Sequence, residues 1–359
     1  MNLLFYQNII YALISLTTLL YVAEYSVKKK RLLFQDVLCF IFILCYSFVF
    51  ANRVFSVYSD TGMYEYQYSA ITSFSDIFSF RGDYLFYFMF YIFKTLSFDF
   101  KLVLFFISLI FNALIYLAVR KLFSHFYFFL FFIIVSLFFY YSMITNIMRQ
   151  GLAFAFFFYA FACLKTNEMK KFYLAIIISL GMHLSFLLPI GLLFVTRFIR
   201  SLTLPLVVFI LSSILAVMNL KVLQVLQTVP LVSSLFKNRT DFDFIYYGDY
   251  KVGFRPDFFV FNCIFLLVGL ITYNKIKHAK IKEFYMKVLT LFILLSSYFF
   301  LMFPYPFSDR YGVMSWMFIP LLFLPYIRNE IKIPFINLFT IYIFFLCIYI
   351  TFNVILFNK

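Results

Sequence analysis

Residues 101–119 read KLVLFFISLIFNALIYLAV, an apolar run that begins at a single lysine. As an α-helix, 19 residues rise about 28 Å at ~1.5 Å per residue, which is close to the ~30 Å hydrocarbon core of a bilayer. The run therefore predicts a membrane-spanning helix. Comparable runs lie near residues 3–23, 33–51, 125–144, 149–164, 203–219, 257–274, 284–303, 310–327 and 335–356.

The composition of the whole chain agrees with this prediction. Of 359 residues, 65% are hydrophobic and 13% are charged, and the mean hydropathy is +0.98. Soluble domains carry about 25% charged residues, so the bilayer must solvate much of this surface. Long continuous runs favour helices over the alternating pattern of a barrel. The net charge of +15 does not predict nucleic-acid binding, since the cations are spread over short loops between the runs.

Lysines and arginines in these loops predict the orientation of the chain, because cytoplasmic loops are enriched in positive charge. Both termini are then outside, and the long loops 52–100 and 220–256 face outward. We expect one polytopic membrane domain over residues 1–359. The cytoplasmic basic loops are 28–31, 120–121, 165–171, 197–200, 275–287 and 328–332.

Residues 172–197 need a different interpretation, because basic loops flank both sides. The segment must enter and return, which gives two arms of about 18 Å each at helical rise. We predict a re-entrant hairpin or short helix pair with Gly181, Met182, His183 and Ser185 near its tip. Residues 84–98 are predicted to form a helix in the outer interface instead of a span.

The first candidate site is NRVFSVYSDTGMYEY, residues 52–66, with Arg53, Ser59, Asp60 and Tyr64. Asp60 and Tyr64 share a helix face, which suggests a sugar-binding or base-bearing loop. The alternative is a solvated loop in which Asp60 caps a helix.

The second candidate site is SMITNIMRQGLAF, residues 142–154, with Asn146, Arg149 and Gln150. We expect Asn146 to cap a helix beside Arg149, because a helix N-terminus and an arginine form an anion site. An arginine that snorkels to headgroups is the alternative. His183 is a candidate general base, or a packed polar residue.

Two further candidates lie later in the chain. Asp309, Arg310 and Tyr311 open a predicted span after two prolines. The loop 220–256 carries Arg239 and Arg255, which suit an acidic or phosphorylated glycan. Its Asp241–Phe242–Asp243 matches the metal-binding DxD of soluble sugar transferases, but three residues are weak support, and we predict no metal and no cofactor. Phosphate-loop and zinc-protease motifs are absent from the sequence.

The order of these motifs resembles the EpsG-like branch of the Wzy-type polysaccharide polymerases. The resemblance rests on Asp60 with Tyr64, then DYLFY at 83–87, NIMRQGLA at 146–153, MHLSFLLP at 182–189 and the late Asp309–Tyr311. The family often has small residues after its His-x-Ser, where this chain has Phe186.

This resemblance implies an all-α, polytopic, GT-C-like fold of about 11–12 spans, with the short pair included. It implies a glycosyltransferase in the bacterial inner membrane whose site faces the periplasm. Undecaprenyl-pyrophosphate-linked oligosaccharides would be polymerised into O-antigen, capsule or exopolysaccharide. Catalytic candidates are His183, Asp60 and Arg149. The substrate-binding candidates are Arg53, Tyr64, Gln150, Arg239, Arg255, Asp309, Arg310 and Tyr311.

The expected partners are these lipid-linked oligosaccharides and membrane lipid, and further candidates are a chain-length regulator and a flippase. An O-antigen ligase and a lipid-oligosaccharide flippase or transporter remain as alternatives. Coupled transporters usually keep ionisable groups in mid-span, and the predicted spans have no mid-span Asp or Glu.

Overall fold

The computed structural model describes residues 35–56, 59–80, 82–123, 127–137, 139–222 and 252–327, and the regular secondary structure of these residues is helical, with no strand. The α-helices in the first half are α1 (Gln35–Ala51), α2 (Asp60–Ala70), α3 (Tyr84–Thr95), α4 (Phe100–Leu122), α5 (Tyr127–Val135), α6 (Tyr140–Thr145), α7 (Met148–Lys165) and α8 (Met169–Met182). Short 3-10 helices occupy Phe74–Ser79 and Leu184–Phe186. Later α-helices are α9 (Leu187–Val195), α10 (Thr203–Val217), α11 (Pro256–Lys275), α12 (Ala279–Leu301), α13 (Asp309–Trp316), α14 (Ile319–Leu322) and α15 (Leu324–Ile327).

Three helices of the described part, α4, α11 and α12, are long and apolar enough to cross a membrane. Shorter apolar helices cover Asp36–Ala51, Leu184–Val195 and Thr203–Val217. The prediction of an all-α membrane protein is therefore confirmed. The predicted spans 3–23 and 335–356 lie outside the described residues.

The chain divides into two compact units, the first formed by Met1–Ile190 with Ile333–Lys359 and the second by Gly191–Lys332. In the first unit, α7 packs against both α4 and α8, and α4 packs against α1. Most of α7 is buried. Gly151 lets α6 approach α7 closely, because a Cβ there would meet the carbonyl of Met143, and small residues are usual at helix contacts in membrane bundles.

The predicted span 125–144 is broken into α5 and α6. The hydroxyl of Ser136 donates to the carbonyl of Phe132 at 2.7 Å, and the N–H of Leu137 bonds to Ile134 three residues back. A serine hydroxyl that donates to the carbonyl four residues back in this way bends a helix. Asn146 ends α6 and does not cap α7, whose N-cap is Ile147 without a side-chain bond. The expected Asn146 cap is therefore wrong.

The segment 172–197 is broken at the position the sequence predicts. Helix α8 has 14 residues and ends at Met182, His183 is extended, and a 3-10 turn leads into α9. Fourteen residues rise about 21 Å, less than the ~30 Å core. Residues 84–95 form the separate 12-residue helix α3, also too short to span.

In the second unit, α12 packs against α10, α11 and α13. The predicted span 310–327 is divided into α13, α14 and α15. Pro320 lies in the first turn of α14 and Pro325 in α15. Each proline removes a backbone donor and clashes with the preceding turn, which explains why one long helix does not form. Most of the loop 220–256 lies outside the described residues.

Gly151 provides the test of this packing. A Cβ placed there would lie 2.0 Å from the carbonyl oxygen of Met143, so Gly151→Ala must push α6 away from α7. We expect a loss of about 2–3 kcal/mol in unfolding free energy, in the upper range of overpacking. The measurement is thermal unfolding of the purified protein in detergent. Gly191→Ala is the matched control, since its Cβ meets nothing within 4 Å; equal stability of the two variants would contradict this account.

Candidate functional site

A buried carboxylate, that of Asp83, organises the candidate site. Gly82 and Asp83 both have positive φ, +80° and +58°, and this left-handed turn directs the chain into α3. Aspartate tolerates such a turn better than most residues. The side chain of Asp83 is only 3% exposed, although it stands at the N-terminus of a helix. A buried carboxylate needs strong donors, and three of them surround it.

Two of these donors come from the break between α8 and the following 3-10 turn. Nδ1 of His183 lies 2.8 Å from Oδ2 of Asp83. The backbone N–H of Leu184 donates to Oδ1 at 2.9 Å. Because the helix stops at Met182, the N–H of Leu184 points to the carboxylate instead of a helical carbonyl. Broken helices commonly provide polar groups to sites in this way.

The third donor is Arg149, at the second position of α7. Its Nη1 lies 2.9 Å from Oδ2 of Asp83 and 3.2 Å from the hydroxyl of Tyr87. Its guanidinium carbon lies 5.8 Å from the ring centre of Tyr64 and 5.9 Å from that of Tyr87. The arginine is thus held between a carboxylate and two aromatic rings, with 29% of its side chain exposed.

The electrostatics keep Asp83 ionised. Burial alone would raise its pKa, but the hydrogen bond and charge of His183, the charge of Arg149 and the N–H of Leu184 together outweigh burial and lower that pKa. Against an ionised carboxylate, Nδ1 of His183 carries its proton and donates. In the neutral ring the lone pair then belongs to Nε2, which is the ring nitrogen that could accept a proton.

Arg53 belongs to an adjacent network of the same unit. It is 4% exposed, its guanidinium stacks 3.8 Å from the ring of Phe50, and its Nη2 donates to the hydroxyl of Thr61 at 2.9 Å. Thr61 in turn donates to the carbonyl of Thr145 at 3.0 Å. Burial lowers the pKa of Arg53 to about 10, so it stays charged at neutral pH. Arg53 therefore ties the end of α1 to α2 and α6.

The structure brings together three of the predicted site residues, Arg149, His183 and Tyr64. Asp60 is the exposed first residue of α2. The hydroxyl of Ser59 accepts from the N–H of Gly62 at 3.2 Å, so Ser59 is the cap and the alternative that gave this role to Asp60 is wrong. Gln150 is buried in α7, 6% exposed.

The later candidates belong to the second unit. Arg255 forms a two-pronged pair with Asp257, with Nη2 to Oδ2 at 2.7 Å, and its guanidinium carbon lies 4.3 Å from the ring of Phe258. Asp309, Arg310 and Tyr311 form the first turn of α13 and are half-buried. Arg239 and the Asp241–Asp243 pair lie outside the described residues.

Sequence reasoning missed the central residue as a site member. In the sequence, Asp83 appears only as part of the DYLFY motif, and no local pattern marks Tyr87 or Thr61 as site residues. One signal was available: Asp83 follows a glycine and directly precedes an amphipathic aromatic helix, where an acid must be either solvated or paired. Its partners were hidden, because Arg149 and His183 are 66 and 100 residues away.

These features define an all-α membrane protein with an arginine, a histidine and an aspartate joined where helices begin and break. The chain belongs to the EpsG family, whose sequence profile matches residues 36–359. Membership assigns it to the membrane proteins of polysaccharide biosynthesis, and it confirms the resemblance seen in the motifs. No curated protein and no solved structure matches the chain.

Replacement of Asp83 by asparagine tests the electrostatic account. The variant leaves Arg149 without its carboxylate, and we expect it to be less stable by about 2–3 kcal/mol at pH 7, below the ~3–5 of a fully buried pair because Arg149 is partly exposed. Since the folded pKa of Asp83 lies below the unfolded value of about 3.9, the part of this contribution that comes from ionisation is complete above about pH 4 and disappears as pH falls through the folded pKa.

The measurement is the unfolding temperature of both proteins in detergent across this range. The difference between wild type and Asp83→Asn should shrink below pH 4. The control is Glu65→Gln, an exposed acid of α2, for which we expect little change in stability. A constant difference between wild type and Asp83→Asn from pH 3 to 7 would contradict the assignment.

Proposed function

We propose that this protein is a membrane glycosyltransferase that polymerises undecaprenyl-pyrophosphate-linked oligosaccharide repeat units. The site would face the outside of the bacterial inner membrane, as the charge pattern of the loops predicts. Membership of the EpsG family supports a role in polysaccharide biosynthesis. The observation that carries the reaction type is that Arg149 and His183 meet on one oxygen of Asp83, because this places a cation and an oriented base side by side.

The proposed chemistry is a displacement at a sugar carbon. A terminal hydroxyl of one repeat unit attacks the anomeric carbon of the chain carried by a second lipid. The new carbon–oxygen bond forms as the bond from carbon to the pyrophosphate oxygen breaks, and lipid pyrophosphate leaves. The hydroxyl proton passes to Nε2 of His183. The donor brings its own activation, so a nucleotide site is not required.

Each residue has a role that follows from its surroundings. Asp83 fixes the ring of His183 and stabilises the imidazolium that forms, as a carboxylate does for a catalytic histidine. Arg149 offers its guanidinium fork to the phosphate oxygens, where negative charge develops. Tyr64 and Tyr87 limit the movement of that fork. Arg53 supports helix α2, which carries Tyr64, through Thr61.

Loss of the gene distinguishes the candidate functions. For a polymerase, we expect surface glycan with single repeat units in place of long chains, since assembly continues without chain extension. Electrophoresis of the extracted glycan measures this. Long lipid-linked chains left unattached would indicate an O-antigen ligase. Repeat units trapped on the inner leaflet would indicate a flippase, and unchanged chain length would rule out the polymerase.

Single substitutions test the residues in a purified polymerisation assay. We expect Arg149→Ala and His183→Gln each to lower the rate by ~10²–10⁴, the usual range for a lost charge stabiliser or general base. Arg200→Ala is the matched control, because Arg200 is an exposed loop arginine, and it should keep its rate. If Asp60→Asn abolishes activity while His183→Gln retains it, the base is Asp60 and not His183.

A further inference from the structure

An exposed aromatic surface begins at the candidate site and extends along α3. Residues 84, 88 and 92 are spaced by one helical turn each, and Tyr84, Phe88 and Ile92 are 47%, 38% and 39% exposed. The opposite face of α3, with Phe86 and Phe90, is fully buried. The helix therefore presents one continuous apolar face outward along its length.

The 3-10 helix Phe74–Ser79 widens this face. Phe74 and Phe78 are 52% and 62% exposed. The ring of Phe78 lies 5.7 Å from that of Tyr84, and the ring of Phe74 lies 6.2 Å from that of Phe88. We call these five side chains the aromatic stripe: Phe74, Phe78, Tyr84, Phe88 and Ile92.

The position of the stripe indicates its occupant. Tyr84 directly follows Asp83, so one end of the stripe adjoins the carboxylate that holds Arg149 and His183. The helix extends about 18 Å from there, at ~1.5 Å per residue. Gly181, in the last turn of α8, packs against Leu85 so closely that an added Cβ would lie 2.9 Å away. This contact fixes the start of the stripe beside the helix break that carries His183.

We propose that the aromatic stripe binds the first isoprene units of the polyprenyl chain of the lipid-linked substrate. The inference rests on the proposed function, since it takes the pyrophosphate to lie at Arg149. The tail of a lipid is covalently joined to its head group. When the head group is bound at Arg149, the tail therefore reaches the adjacent stripe at a higher effective concentration than bulk lipid does. Flat aromatic rings give such a chain a rigid apolar surface.

The first experiment compares two synthetic donors, one with an undecaprenyl tail and one with a tail of two isoprene units. The test variant is Phe78→Ser with Phe88→Ser in the full-length protein, and the matched control is Phe40→Ser with Phe48→Ser, two residues of α1 that are 60% and 64% exposed. We expect KM for the long-tailed donor to rise about tenfold in the test variant alone, with KM for the short-tailed donor unchanged.

An equal rise for both donors would mean that the stripe seats the protein in bulk lipid, and would overturn the proposal. Loss of a dimer in the test variant, seen by light scattering, would assign the stripe to a second copy and would also overturn it. Unchanged KM values for both donors would do the same.

A second experiment separates this inference from the proposed function. Undecaprenyl pyrophosphate without sugar, carrying a diazirine in its first isoprene units, is photolysed with the wild-type protein. We expect label on the peptide containing Phe74–Phe88, displaced by unlabelled undecaprenyl pyrophosphate and not by phospholipid. Specific labelling of this peptide, together with no activity in the separate polymerisation assay, would support the stripe and refute the polymerase. Activity in that assay with no label on this peptide would refute the stripe.

Discussion

The ionised carboxylate of Asp83, buried to 3% exposure, is the interaction on which the rest of the site depends. An unpaired charge in such surroundings would cost several kcal/mol, so the chain must deliver donors to it from elsewhere. It does so from two distant segments, the start of α7 and the end of α8. The carboxylate therefore fixes three chain segments at one point and determines which side chains stand next to each other.

Breaks in the helices are what make those donors available. An uninterrupted helix consumes its own N–H groups, whereas a helix that stops at Met182 leaves the N–H of Leu184 to bind Asp83. The break between α6 and α7 acts similarly, because it places Arg149 in a first helical turn. Gly151 allows α6 to fold back over that turn by admitting the carbonyl of Met143. The same irregular backbone therefore determines both how these helices pack and where their polar groups lie.

Sequence reasoning was most successful where a local signal was sufficient. Apolar runs predicted the helices, and the two basic loops around 172–197 predicted the break at His183. It failed at Ser136, where a local hydrogen bond bends the helix, and at Asn146, which ends one helix instead of capping the next. It also overlooked proline effects inside the run 310–327. It also missed Asp83 as the central residue of the site. Asp83 pairs with residues that are 66 and 100 positions away, and the sequence pattern around each residue does not indicate such a distant partner.

The hydrogen bonds of the Arg149 guanidinium affect how an anion would bind. Its Nη1 is shared between Asp83 and Tyr87, while its Nε is buried and has no hydrogen-bond partner among the described residues. A buried donor without a partner costs about 1–3 kcal/mol, so the position of the guanidinium leaves one of its N–H groups without a hydrogen bond. On the proposed reaction, a pyrophosphate would compete with Asp83 for the fork and give the remaining N–H groups acceptors. Movement of Arg149 toward the phosphate would then leave His183 as the main charged partner of Asp83 at the moment the imidazolium forms.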